Sequence, residues 1–155
     1  MQILSSRLPE VSGFRDVTVA QLARYRELFE ETAYRRCRHV VEENERVVKA
    51  GIALLDNDLR TAGALMNESH ESLRLNCGAG CAELDLLARL ARECRGVWGA
   101  RMSGPAPGGC LVCLVDVERA GAIARAITHG YRAQTGIQCE TWLCRAAEGA
   151  GEEMF

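Results

Sequence analysis

The spacing of apolar residues changes along this chain, and each change marks a boundary between predicted elements. Between Thr18 and about Tyr34 the residues Leu22, Tyr25, Leu28, Phe29 and Thr32 recur at helical spacing. Ahead of them, Thr18-Val19-Ala20-Gln21 has the form of a capping box, in which a Thr and a Gln three residues on satisfy each other's backbone donors. A second helix is predicted from about Arg36 to Leu55, with Val40, Val41, Asn44, Val48, Ile52 and Leu55 on one face. Glu42, Glu43, Glu45, Arg46 and Lys49 fall largely on the other. Asp56-Asn57-Asp58 forms a turn and cap cluster, and Leu59, Ala62, Leu65, Met66, Ser69 and Leu73 outline a third helix ending near Arg74. Asn76-Cys77-Gly78-Ala79-Gly80 interrupts the period. Glu83 to Cys94 restores it with Leu84, Leu87, Ala88 and Ala91 inward, until Gly96 stops the helix.

Beyond Gly96 the period moves toward two. Val97 to Ser103 and Cys110 to Asp116 read as an antiparallel hairpin around the loop Gly104 to Gly109. Ala120, Ile123, Ala124, Ile127 and Tyr131 form a helix face that ends near Gly136, and Ile137 to Arg145 alternates as a last strand. The class is therefore α+β: helices followed by an antiparallel sheet with β-β-α-β order. Residues 1–15, which hold Pro9, Ser12 and Gly13 without a sustained period, are expected to be a loose lead-in. Residues 16–146 form the domain, and 147–155 a loose tail.

At 155 residues and 48% hydrophobic the chain has enough apolar matter for one folded domain, which excludes the disordered class. Its 19 basic and 21 acidic residues are interspersed, so neither nucleic acid nor an anionic membrane surface is an expected partner. The longest apolar run, Cys110 to Val115, falls far short of the roughly 20 residues that span a bilayer. Met1 to Arg7 has neither a basic leader nor a hydrophobic core, and the expected location is cytoplasmic. The eight cysteines read as reduced thiols, mostly small core residues. Cys110 and Cys113 have the gap of a zinc knuckle, but positions i and i+3 of a strand face opposite sides, so no metal site is expected.

The candidate chemistry lies in Gly99-Ala100-Arg101-Met102-Ser103-Gly104-Pro105-Ala106-Pro107-Gly108-Gly109-Cys110. Glycines let backbone N–H groups come close to an anion, and Arg101 with Ser103 would add charge and a hydroxyl. Taken alone, the same string reads better as a hairpin loop that uses Gly108 and Gly109 for positive φ. His39 and His70, both in predicted helices, read as hydrogen-bonded structural residues rather than catalysts, and His129 as a surface residue. Arg35, Arg36 and Arg38 are flanked by Glu30, Glu31, Glu42 and Glu43 and read as a solvated, mutually paired surface.

Further strings in fixed order carry a resemblance. Arg36-Cys37-Arg38-His39-Val40-Val41-Glu42-Glu43-Asn44, then Leu65-Met66-Asn67-Glu68-Ser69-His70-Glu71-Ser72-Leu73-Arg74, then Glu83-Leu84-Asp85 and the glycine loop are similar, in register, to the C-terminal half of galactokinases, members of the GHMP sugar kinase superfamily. Tyr131-Arg132-Ala133-Gln134-Thr135-Gly136 and Ala147-Glu148-Gly149-Ala150 extend the likeness. The resemblance implies a ferredoxin-like C-terminal fold and transfer of the γ-phosphoryl group of ATP, with magnesium, to the anomeric hydroxyl of galactose. By carry-over, Gly99, Arg101, Ser103, Gly104, Gly108 and Gly109 are the phosphate-loop residues.

The family's galactose-recognition signature, its nucleotide loop and its catalytic aspartate and arginine precede the region seen here. Asp16, Asp56, Asp58, Asp85 and Asp116 all lie outside the family's catalytic motif, so no catalytic residue is assigned. The chain alone is expected to be inactive and to take neither ATP nor magnesium, with a missing N-terminal kinase half or a homologous partner required. Self-association through the uncovered apolar surface is a further expectation. Where the signature has Gly-Gly-Phe, the loop reads Pro105-Ala106-Pro107, and each proline removes a backbone donor. After Arg74, Leu75, Asn76 and Cys77 replace two aspartates and an aromatic, and Ala82 stands for a proline. The resulting alternative is a non-catalytic regulatory or interaction module derived from a sugar kinase.

Overall fold

The computed structural model describes residues 2–104 and 109–147. Its element order is α1 (Gln2–Ser5), α2 (Val19–Arg24), α3 (Glu31–Leu55), α4 (Leu59–Ser72), α5 (Ala82–Glu93), β1 (Val97–Ser103), β2 (Cys110–Val115) and α6 (Ala120–Thr135). The hairpin, α5 and α6 lie within a residue or two of their predicted bounds. Their signals are local: Gly96 and Gly136 adopt positive φ where the helices stop, and β1 and β2 pair antiparallel from Val97 opposite Val115 to Ser103 opposite Cys110.

The first helix forms as a capping box, with the Gln21 N–H donating to Thr18 Oγ1 at 3.2 Å and the Thr18 N–H to Gln21 Oε1 at 2.9 Å. It does not continue to Tyr34. A single 3-10 turn, Arg26–Leu28, separates α2 from α3, and Arg26 secures the break. Its guanidinium donates to the Phe29 carbonyl at 3.2 Å, pairs with Glu31 and lies 4.5 Å over the Tyr34 ring. Periodicity cannot reveal such a break, because Leu22 and Phe29 stay on one buried side of both pieces.

The lead-in is not loose over its described part. Leu4 and Val11 are buried with Val17, Leu22, Phe29 and Val41 in one apolar cluster, and Asp16 closes the Ser12–Asp16 turn by accepting from the Ser12 and Gly13 N–H groups. Apolar side chains at irregular spacing bury as well as periodic ones once a neighbouring helix supplies the surface. The predicted apolar face of α3, conversely, is only partly covered. Val41 and Ala53 are buried, whereas Val48 is 63%, Ile52 55% and Leu55 88% exposed, so most of the apolar face in the second half of this 25-residue helix is left uncovered.

The predicted third strand is absent. Ile137 to Arg145 has no strand pairing, the sheet consists of β1 and β2, and Trp142 is 72% exposed. Alternation sets which side chains share a face, but a strand forms only when its backbone pairs with another, and this segment's does not. A second core cluster, Ala91, Ala100, Ile123 and Ile127, sits under the hairpin, with Leu111, Cys113 and Val115 packed against it.

Helix α4 runs against β1 at backbone contact. A Cβ on Gly63 would lie 2.2 Å from the Trp98 carbonyl carbon, and one on Gly99 would lie 2.2 Å from the Gly63 oxygen. Past Ser72 the helix widens into one π-turn, Leu73–Cys77, capped by Gly78 in the left-handed region. Gly63→Ala is expected to destabilise the fold by about 3 kcal/mol or more, because rigid backbone must yield. Gly51→Ala, at an open helical position, should instead stabilise it by about 1 kcal/mol. Urea titration of both variants checks the contrast, and equal effects would contradict the close approach.

Candidate functional site

The side of β1 that does not face β2 is closed by side chains rather than by a third strand. Asn67 and His70, one helical turn apart on α4, both point at it. Asn67 Oδ1 accepts from the Ala100 N–H at 2.9 Å, and His70 Nδ1 accepts from the Met102 N–H at 3.2 Å. Arg92 of α5 completes the edge: its guanidinium donates to the Ala100 carbonyl at 2.9 Å, to Asn67 Oδ1 at 2.8 Å and to Glu71 at 3.1 Å. With Nδ1 as acceptor, the neutral His70 ring carries its proton on Nε2, which lies 3.4 Å from Asp85 Oδ1.

A second layer ties α3 to α4. His39 Nδ1 is 2.9 Å from Ser72 Oγ, which also accepts from Asn76 at 3.0 Å, so the Ser72 proton is left for His39. Ser69 donates to Glu43, and Glu43 pairs with Arg46 and, at 3.5 Å, with Arg101 of β1. Asn44 donates to the Phe14 carbonyl at 3.0 Å. The separately quoted strings of the sequence therefore touch one another: the Arg36–Asn44 string meets the Leu65–Arg74 string, and both meet the strand that enters the glycine loop.

Burial, as the largest cause, pushes both imidazoles below their ordinary value of 6.5. For His70, Arg92 and Arg74 act in the same direction against Asp85 and Glu71; for His39, Arg46 and Arg101 do so against Glu43 and Glu42. Both rings are therefore neutral acceptors or donors in a packed network, as expected of structural histidines, and His129 is exposed.

Four of the carried-over loop residues gather at one end of the hairpin. Arg101 is partly buried, with its Nε buried and unpartnered; Ser103 is exposed; Gly104 has φ +79°; and Gly109 lies across from it, its Cα 3.6 Å from where a Gly104 Cβ would sit. Gly99 is elsewhere, in the contact with Gly63. Gly108, like Pro105, Ala106 and Pro107, lies outside the described residues. Cys110 is exposed while Cys113 packs on the core, where burial raises its thiol to about 11.

A cleft of about 440 Å³ opens beside the His70–Asp85 pair, lined also by Glu71, Arg74, Arg89, Arg92 and Glu93. Each arginine has an acidic partner, Arg74 and Arg92 on Glu71 and Arg89 on Glu93 at 3.1 Å, so the cleft offers balanced charge rather than a basic anion trap. Among the described residues no three His, Cys, Asp or Glu side chains converge as metal ligands. The roles of Gly63, Asn67 and Arg92 were not read from sequence. Asn67 and His70 at i and i+3 on a buried helix face carried the one usable signal.

A family profile described as GHMP kinases C terminal matches residues 52–133. The chain is 42% identical over 143 residues to a galactokinase of Glaesserella parasuis, covering 90% of this chain and 37% of that protein. It is 34% identical over 154 residues to a galactokinase of Roseiflexus, covering 99% of this chain and 39% of that one. The crystal structure of Lactococcus lactis galactokinase complexed with galactose superposes at a TM-score of 0.82 with 32% identity, covering 88% of this chain and 35% of that one. The chain thus spans a little over a third of the length of the relatives it matches.

The neutral histidines give the fold a pH dependence. A group whose pKa is lower folded than unfolded stabilises the native state above its unfolded value, and that contribution is lost as pH falls through the folded value. Unfolding free energy should therefore fall below about pH 6.5, with a slope approaching 1.4 kcal/mol per pH unit for each buried ring. Between pH 6.5 and 5, His39→Gln should show roughly half the wild-type slope in urea titrations. An unchanged slope would place the protonation on another group.

Proposed function

This chain belongs to the GHMP kinase C-terminal family, and on that premise we propose that it is the C-terminal domain of a galactokinase-type enzyme. The observation that carries this reading is the likeness to galactokinases along nearly the whole chain. The reaction is transfer of the γ-phosphoryl group of ATP to the O1 hydroxyl of galactose, releasing ADP. Protein catalysis of such transfer is mostly positioning and charge stabilisation, because the phosphoryl group carries spread negative charge through the transition state.

In this reading the domain supplies geometry. Asn67, His70 and Arg92 fix β1, and β1 delivers Arg101, Ser103 and Gly104 to the mouth of the hairpin, where a guanidinium, a hydroxyl and backbone N–H groups face phosphoryl oxygens. Glu43 holds Arg101 in place from behind. Magnesium would neutralise phosphate charge in the complete kinase, and its ligands are assigned to polypeptide outside this chain, as are the base and the sugar-binding groups. Pro105 and Pro107 favour a second reading, a regulatory module that keeps the fold with weakened phosphate binding, because each takes one N–H from the loop.

The purified chain with galactose, ATP and magnesium is expected to release no ADP in a coupled assay. Joined in native order to the part of the Lactococcus lactis galactokinase that it does not match, it should show galactose-dependent ADP release; silence from the joined protein would remove the kinase reading. In that joined protein, replacing Pro105 and Pro107 with glycine should tighten ATP binding by roughly five-fold per restored donor, about 1 kcal/mol each. Unchanged or weaker binding would show that the prolines do not impair the loop.

A further inference from the structure

A broad apolar surface lies away from the site, on the second half of α3. Val47, Val48, Ile52, Leu54 and Leu55 are each more than half exposed, and the one charged residue between Val47 and Leu55 is Lys49. With about 100° of turn per residue, the five side chains fall on a single arc of about 160°. Ala53 lies opposite the middle of that arc and is buried, so the arc faces directly away from the rest of the chain.

These side chains expose on the order of 500 Å², in the upper part of the range for the largest apolar patch of a soluble monomer. Closing two such stripes on each other removes about 1,000 Å² in total, which reaches the lower bound of a specific interface. A two-fold axis brings the same residues to both sides, and an uninterrupted apolar stripe is complementary to itself.

The charges along its border set the direction of pairing. Glu45, Lys49 and Asp56 line the edge next to Ile52, and all three are exposed. In an antiparallel pair of helices each edge meets the same edge of the other helix, whereas in a parallel pair it meets the opposite one. An antiparallel pair about a two-fold axis beside Ile52 sets Val48 against the second copy's Leu55 and Lys49 within a turn of its Asp56, twice over. Lys49 has donors left for this, since its contact with Glu45 is long, at 3.4 Å.

We propose that this stripe is a homodimer interface: two copies of the chain pair antiparallel through residues 47–55 of α3, with Lys49 of each facing Asp56 of the other. The interface shares no residue with the cleft or the mouth of the hairpin, and so stands apart from the kinase reading.

Sedimentation equilibrium of the purified chain tests this, with a dimer Kd expected at about 10 μM. A monomer at about 100 μM would overturn the interface and leave the stripe to polypeptide outside the chain. Leu55→Arg puts a basic residue where a helix end favours one and beside the second copy's Lys49; it should keep the parent's circular dichroism and raise Kd at least about 100-fold. An unchanged Kd would place the contact on another surface. Lys49→Glu and Asp56→Lys should each weaken the dimer about five-fold, and the two in one chain should restore it. Losses that simply add would overturn the antiparallel register. Because Lys49 is the chain's only lysine, a carbodiimide, which joins an amine to a carboxylate and takes up the water lost, should give a dimer crosslinked between Lys49 and Asp56. A dimer joined from Lys49 to any other carboxylate would overturn that register.

Discussion

The outer edge of β1 is the constraint around which this molecule is arranged. A strand in a two-stranded sheet leaves one row of backbone groups without ladder partners, and burying them unpaired would cost more than most single side-chain contacts return. Here an amide, an imidazole and a guanidinium stand where a neighbouring strand would, and they reach because Gly63 and Gly99 let helix and strand backbones touch. Any side chain at either glycine would lift α4 off the strand and break the Asn67 and His70 hydrogen bonds together.

The same packing explains why strings far apart in the chain form one unit. His39 on Ser72 and Glu43 on Ser69 hold α3 to α4, and Glu43 reaches through to Arg101. These contacts each join two different elements, so the network carries position from the long helix to the mouth of the hairpin. In the proposed kinase reading the domain's part is placement, and rigidity behind the loop then matters as much as the loop's own residues. The neutral histidines suit that task, since a charged ring at either place would be desolvated against arginines.

Ile137 to Arg145 joins neither strand: side chains of α4 and α5 occupy the outer edge of β1, and the segment forms no ladder with β2. The exposed apolar residues at the far end of α3 and along Ile137 to Leu143 are surfaces that this chain does not cover by itself.

Local signals in the sequence determined a good part of this protein. The Thr18–Gln21 cap, α5 between Ala82 and Glu93, both strands of the hairpin and the stop of α6 at Gly136 each depend on residues within a turn or two, and each forms at its predicted place. The ordered strings also marked the family, because residue type and spacing survive in sequence whatever they touch. Tertiary structure alone decided the break at Arg26, the burial of Leu4 and Val11, the packing use of Gly99 and the failure of Ile137 to Arg145 to pair. In each of these the outcome depends on a partner distant in the chain, a carbonyl to cap, a surface to cover or an edge to join, and periodicity records which side chains are apolar without recording what lies opposite them.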